Sequence, residues 1–283
     1  MRKLWRLTVV SLFLLLITGC KQATKVDWPL YQIKNGEQTA YLLGSIHIGE
    51  EAMYPFPNQL LQYIDESDEL ITEVPLAALM QSQSNASQEP PLLMDEFSSA
   101  QKSTLLAKIK DYGYTEKDLE GINRLGLLQL LQKQIMTANR VSNGVEFQMY
   151  AELQKHSDWK NTGFETFDEQ MALLLKLSNE PANVDQWLAA LPTLTAYQKE
   201  TENLIQSYIE GNVSEQLSGM TPQVADRLLT LRNEKWLSQL IPKLENGDQP
   251  FVLVGAGHLP GEHGLIKQLE HAGYQVTKLT LEK

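Results

Sequence analysis

Two short motifs near opposite ends of the chain carry the residues best suited to chemistry. Residues 41–47 (Tyr-Leu-Leu-Gly-Ser-Ile-His) and 252–258 (Val-Leu-Val-Gly-Ala-Gly-His) each join an apolar run to Gly-x-x-His. In both motifs a glycine, which permits close backbone approach or a positive φ, precedes a histidine, His47 or His258. A lone histidine in such a turn is typical of a cap or a buried hydrogen bond, but the duplication predicts that both imidazoles face one crevice.

Carboxylates near the two imidazoles would complete a reactive site. Glu73 ends a strand-like run over 69–74, and Glu165 ends a short segment before a predicted helix. Imidazoles and carboxylates without thiolates suit Mn, Co, Fe(II) or Zn better than a soft metal. Each glutamate could be a metal ligand or the general base that accepts a proton from water, and the sequence leaves these roles open. For both, the structural alternative is an N-cap or a surface ion pair.

Three further polar residues are candidates for substrate contact. Glu146 follows Gly144-Val145 at a predicted helix start, where a carboxylate would also favour the helix dipole. Arg232 could hold a substrate carboxylate or an oxyanion in a bidentate fork, or lie on a helix surface. We expect its neighbour Asn233, together with Glu146, to bind substrate.

The hydrophobic pattern predicts an α/β fold that would position these residues. Apolar runs indicate strands at the two ends of the chain, with one helix at each end. The strands are 28–33, 39–46, 69–74, 251–254 and 275–281, and the helices are 56–67 and 264–271. Asn35-Gly36 is typical of a hairpin turn, and the last three elements form a βαβ pattern. Ligand sites of open α/β sheets gather at the carboxyl ends of strands, where both histidines would lie.

The middle of the chain, about 97–246, is predicted to be mostly helical. Leucine and methionine recur there at i, i+3 and i+4 spacings. Thr166 to Glu169 has the pattern of a capping box that opens a helix. Residues 77–91, rich in Ser, Gln and Ala, are predicted to form a mobile loop or lid. Strands from both chain ends would thus form a sheet with an active crevice, which the helical middle covers.

The N-terminus has the features of a bacterial lipoprotein signal. Three cations precede an apolar run over residues 7–17, and small residues then lead to Cys20. The run is too short for a transmembrane helix, which needs about 20 residues. Residues 16–20 resemble the lipobox, which predicts cleavage of residues 1–19, lipidation of Cys20 and a tether over residues 20–26. Lys21 favours the outer membrane of the cell envelope over the inner one.

Composition restricts the partners and the chemistry. Cys20 is the single cysteine, so the mature chain has neither disulfides nor thiolate catalysis. The net charge is −11, and removal of the signal makes it −14, with 21 basic against 35 acidic residues. A chain this acidic is not expected to bind nucleic acid. The sequence also lacks His-Glu-x-x-His, phosphate-loop and Gly-x-Ser-x-Gly motifs.

Five motifs in order across residues 39–280 resemble those of the TraB/GumN family, whose broader relatives include the Tiki proteases. They are 43–49 with 53–55, Glu73, 144–146, 164–166 with 169–170, and 232–233 with 254–261 and 264. The resemblance implies one α/β domain over 27–283, in which strands from both ends form the active cleft.

The resemblance also implies metal-dependent hydrolysis of peptide bonds, as described for Tiki proteins with manganese or cobalt. Zinc or iron would suit the same donors. In that scheme His47, His258, Glu73 and Glu165 hold the ion, and the glutamates and Arg232 serve catalysis on a peptide or protein substrate. Broader relatives include erythromycin esterases and a haem-binding lipoprotein. The alternative is therefore a non-catalytic lipoprotein that binds haem, metal or a protein.

Overall fold

A computed structural model describes residues 25–82, 84–138, 142–180, 183–214 and 221–283. The predicted signal and Cys20 lie outside the described residues. Lys25 and Val26, placed in the tether by the sequence, already belong to the first strand.

Within the described residues, eight strands form two sheets, and helices lie in the segments between them. The strands are β1 (Lys25–Asn35), β2 (Gln38–Ser45), β3 (Ile48–Gly49), β4 (Leu70–Thr72), β5 (Ser142–Asn143), β6 (Asn161–Gly163), β7 (Phe251–Gly255) and β8 (Gln275–Glu282). The helices are α1 (Asn58–Asp65), α2 (Leu76–Gln81), α3 (Leu93–Glu96), α4 (Ser99–Ile109), α5 (Arg124–Ala138), α6 (Val145–Leu153), α7 (Phe167–Ser178), α8 (Val184–Ala190), α9 (Leu194–Ile209), α10 (Pro222–Ala225), α11 (Leu231–Asn246) and α12 (Leu265–His271). The α/β fold predicted from the sequence is confirmed, with strands from both chain ends in one sheet.

The main sheet has the strand order β6-β4-β7-β2-β1-β8. β4, β7 and β2 are parallel neighbours, so their carboxyl ends meet at one edge. The central strand β7 is buried on both faces, which explains its continuous apolar run, Phe251 to Val254. This arrangement brings the ends of three distant segments together.

The N-terminal hairpin is confirmed, with its turn one residue later than predicted. Asn35 pairs with Gln38, so the two turn residues are Gly36 and Glu37 rather than Asn35 and Gly36. Gly36 has a φ of 63° at the first central position, where a tight hairpin turn requires a positive value.

The C-terminal β7-α12-β8 segment differs from a simple βαβ unit. β8 pairs with β1 at the far edge of the sheet, so the β1-β2 hairpin lies between β7 and β8. The sequence pattern cannot show this separation, because the place of β8 in the sheet depends on its pairing with β1, which lies more than 200 residues earlier in the chain.

Both faces of the main sheet are covered. One core contains Leu30, Leu43 and Leu253, and the other contains the alternate strand residues Leu42 and Val252. A third core lies among the middle helices, around α4, α5 and α8. No helix within the described residues is long and apolar enough to cross a membrane.

The middle segment 97–246 is mostly helical, as predicted, and the capping box of α7 is formed. The segment also contributes β6, an edge strand of the main sheet that its short Asn-Thr-Gly sequence did not reveal. Within residues 77–91, the described part includes the end of α2 and buried contacts beyond it. Ala86 is buried, and the amide of Asn123 donates to the carbonyl oxygens of Ala86 (2.5 Å) and Glu89 (2.8 Å).

Candidate functional site

The two histidine turns lie side by side at the carboxyl edge of the sheet. β2 and β7 are paired in parallel as far as Ser45 and Gly255, and each strand leads directly into its histidine turn. A Cβ added at Gly44 would lie 3.0 Å from Cα of Ala256. The glycine of the first motif is therefore required because the second turn packs directly against it.

His258 is buried, with 3% of its side chain exposed, and both ring nitrogens have partners. Its Nδ1 lies 2.6 Å from Oδ1 of Asn233, whose Nδ2 donates to the carbonyl oxygens of His258 and His263. The amide oxygen must therefore face the ring, so Nδ1 of His258 carries the proton. Nε2 accepts a hydrogen bond from Nη1 of Arg232 at 3.0 Å. The two partners fix the neutral Nδ1–H tautomer.

Arg232 lies between two carboxylates. Its Nη2 donates to Glu73 at 2.5 Å and to one oxygen of Glu165, and its Nε donates to the other oxygen of Glu165 at 3.2 Å. Gln170 donates to both glutamates from the opposite side, at 3.0 and 3.3 Å. We call Glu73, Glu165, Arg232 and His258 the inner group. A buried cation and two carboxylates compensate one another there.

The environment sets the charges of the inner group. Burial lowers the pKa of His258 to about 3, and the positive charge of Arg232 acts in the same direction. Burial alone would raise the pKa of Glu73. The nearby His258 when protonated, the guanidinium of Arg232 and the backbone N–H of Gly255, which lies 2.7 Å from Oε1, outweigh this effect and lower the pKa. At neutral pH a neutral imidazole therefore lies beside an ionised carboxylate.

Helix α11 and the turn before it position Arg232. A π-helical turn, Asp226–Thr230, precedes α11, and Nη1 of Arg232 donates to the carbonyl oxygen of Leu228 at 3.0 Å. Trp236, four residues later on the same helix face, lies 4.6 Å from the guanidinium carbon and 4.3 Å from the His258 ring. The indole thus packs against both side chains.

His47 and Glu146 form a second, more open part of the site, which we call the outer pair. Nδ1 of His47 lies 3.1 Å from Oε1 of Glu146, and the hydroxyl of Ser45 donates to the same oxygen. The His47 side chain is 68% exposed. The carboxylate of Glu146 raises the pKa of His47 against the effect of burial, and the charge of Glu73 acts in the same direction.

The start of α6 is docked onto the His47 turn. The backbone N–H groups of Gly144 and Val145 donate to the carbonyl oxygens of His47 (3.1 Å) and Ile46 (2.9 Å). A Cβ at Gly144 would lie 2.0 Å from the carbonyl oxygen of Ile46. Only glycine fits there, which accounts for the Gly-Val-Glu sequence that delivers Glu146.

Comparison with known proteins assigns the chain. A model described as the TraB/PrgY/gumN family matches residues 29–278, nearly the whole chain. The chain belongs to the TraB/PrgY/gumN family. No curated protein and no solved structure matches it. The family resemblance of the sequence motifs is thereby confirmed.

The TraB-family site places all seven predicted side chains at one sheet edge, but in unequal positions. His47 is open, whereas His258 is buried behind Arg232. Arg232 itself is held by the two glutamates. Asn233 is 2% exposed and uses its amide on the His258 turn, so its contacts orient the ring.

Three residues of this site were not predicted: Ser45, Gln170 and Trp236. Ser45 and Gln170 stand inside the motifs that carry the family resemblance, but neither side chain has a distinctive chemistry. Trp236 lies four residues after Arg232 on an amphipathic helix, where its pattern is that of a core residue.

The donors of the inner group fit a divalent ion in type and protonation state. Neutral imidazole nitrogen and ionised carboxylate oxygen are ligands that such ions prefer. His258 also has its second nitrogen fixed by Asn233, as outer partners of metal-bound histidines do. Within the described residues, no three His, Cys, Asp or Glu side chains are arranged around a common point for a metal. The guanidinium of Arg232 lies between the inner donors instead.

Proposed function

We propose that this TraB-family protein is a metal-dependent hydrolase, acting on peptide bonds and anchored at the cell envelope. One observation carries the proposal. A neutral imidazole and two carboxylates, delivered by separate segments, converge on one cation at the carboxyl edge of the sheet. A donor set that already binds the guanidinium cation is also suited to bind a metal cation in its place.

The basicity of the site residues supports a metal cofactor. Glu73 and His258 have lowered pKa values and are therefore weak bases toward water that no ion activates. His47 has a raised pKa and tends to carry a proton. Glu73 and His258 therefore suit metal ligands better than bases, and His47 would have to lose its proton to bind an ion. A bound divalent ion would lower the pKa of water toward about 7 and polarise a carbonyl group.

In this proposal His47, His258, Glu73 and Glu165 would hold the ion, with manganese or cobalt expected and zinc or iron chemically suitable. Asn233 orients His258 as described above. A glutamate that keeps an oxygen free of the ion would accept the proton of the water. Both Glu73 and Glu165 remain candidates for that role.

The outer pair would face the substrate. Glu146 fixes the orientation of His47 through Nδ1, which leaves Nε2 on the exposed side of the ring. Arg232, once free of a carboxylate, could donate two hydrogen bonds to the oxyanion that forms when water attacks a carbonyl. The acidic surface of the chain disfavours polyanionic substrates and leaves peptides and proteins as the proposed class.

We propose that Cys20 carries the lipid that retains the protein in the envelope, with the outer membrane favoured. The site begins only after β1 and β2, so the lipid and the crevice are separate parts of the chain. A triacylated cysteine would provide stable membrane binding, which a single acyl chain does not.

The decisive experiment uses the mature protein after chelation. Peptide-library cleavage should return on addition of Mn²⁺ or Co²⁺, and His47→Ala and Glu73→Gln should abolish it. His271→Ala, an exposed histidine at the end of α12, is the matched control and should keep full activity. If metal addition restores no cleavage and haem instead gives a Soret band that His47→Ala removes, the protein is a binding lipoprotein.

A further inference from the structure

We propose that Arg232 is a built-in counter-cation that occupies the metal position of the inner group, so that a divalent ion and the guanidinium exchange for the same donors. This inference rests on the metal site of the proposed function. It adds a definite order, in which the arginine must withdraw before the ion can enter.

The contacts of Arg232 account for the donor atoms one by one. Its N–H groups engage both oxygens of Glu165, Oε2 of Glu73 and Nε2 of His258. Nε2 is the lone-pair nitrogen that a metal would need, because Nδ1 carries the proton for Asn233. Three of the four proposed ligands are therefore already in use by one buried side chain, which is 8% exposed.

Two cations cannot share these donors at close range. A divalent ion at the centre of the inner group would lie against a guanidinium in a poorly solvated site, where like charges repel strongly. The carboxylates provide two negative charges, which the guanidinium already offsets in part. The ion and the guanidinium must therefore compete for the donors.

Arg232 also has a contact outside the inner group, with the turn that precedes α11. Nη1, which donates to Nε2 of His258, also donates to the carbonyl oxygen of Leu228, an acceptor that is not one of the proposed ligands. Leu228 belongs to the π-helical turn before α11, and π-turns inside helices are frequent at functional sites.

The test is Mn²⁺ binding to the metal-free mature protein by calorimetric titration, with Arg232→Met against the parent. The variant should bind Mn²⁺ at least tenfold more tightly, because the competing cation is gone. Arg227→Met is the matched control, since Arg227 lies five residues earlier and pairs with Glu180 outside the inner group. It should bind Mn²⁺ like the parent. Equal or weaker binding by Arg232→Met would overturn the proposal.

Folding provides a second, independent measurement. Without metal, Arg232→Met leaves Glu73 and Glu165 buried without a counter-cation and should melt at a lower temperature than the parent. Mn²⁺ should raise the melting temperature of this variant by more than it raises that of the parent. A variant that millimolar Mn²⁺ neither binds to nor refolds would also reject the exchange.

These readouts separate the inference from the proposed function. Binding and melting require no substrate and no turnover. A protein that cleaves no peptide but binds Mn²⁺ more tightly after Arg232→Met would reject the hydrolase and retain the exchange. A protein that cleaves peptides with Mn²⁺, but whose affinity is unchanged by Arg232→Met, would do the opposite.

Discussion

Removal of the Asn233 side-chain amide should destabilise the protein by about 3 kcal/mol. The amide makes three buried hydrogen bonds, at 2.6 Å to Nδ1 of His258 and at 3.1 and 2.8 Å to two carbonyl oxygens of the same loop. A buried hydrogen bond contributes about 1 kcal/mol on average, and a buried partner left unsatisfied costs about 1–3 kcal/mol. In Asn233→Ala the proton on Nδ1 loses its acceptor.

Urea unfolding of metal-free Asn233→Ala, followed by circular dichroism, would measure this loss. The expected value is a large part of the typical stability of about 5–15 kcal/mol. Asn246→Ala is the control, because Asn246 lies on the same helix but is exposed and bonds only Asp248. It should change the free energy of unfolding by less than about 0.5 kcal/mol. A loss below about 1 kcal/mol in Asn233→Ala would refute the bonding assigned to this amide.

Three further predictions concern the outer pair and the anchor. Glu146 raises the pKa of His47 to about 9. The stability that this pair contributes is therefore present below pH 6.5, the ordinary histidine pKa, and is lost as the pH rises through about 9. In metal-free Glu146→Gln, NMR titration should show a His47 pKa near 6.5. Gly144→Ala should cost about 1–3 kcal/mol in thermal unfolding and shift the His47 imidazole resonances, because its Cβ would overlap backbone atoms. Cys20→Ser should abolish fatty-acid labelling and membrane retention in fractionation, and equal labelling of the variant would reject the anchor.

The sequence predicted the strand ends that hold the site, because that information is local. An apolar run followed by Gly-x-x-His indicates a strand and a tight turn wherever it occurs, and the two copies indeed end neighbouring strands. The helix start predicted at the Gly-Val-Glu motif is likewise confirmed, because α6 begins at Val145. Gly144 makes that start possible.

The sequence could not predict that the two histidines differ in their environment. Both follow the same motif, yet His47 is open and His258 is buried and neutral. The difference comes from Arg232 and Asn233 on α11. Their spacing in the sequence does not show which strand end they contact. The sequence showed the capping box next to Glu165. It did not show that Glu165 pairs with Arg232, 67 residues later. Such pairings depend on how α11 packs over the sheet.

The position of β7 has a consequence for how the molecule is made. β7 is the strand that joins β4 to β2, and it is formed by residues 251–255 of a 283-residue chain. During synthesis from the N-terminus, the β4–β6 half and the β1–β2 half have no strand between them until residues 251–255 emerge. Pairings this distant in sequence form slowly, since their loops must close first. The growing chain therefore cannot complete its sheet early, and the two histidine turns meet only after the segment of about 200 residues between them has been made.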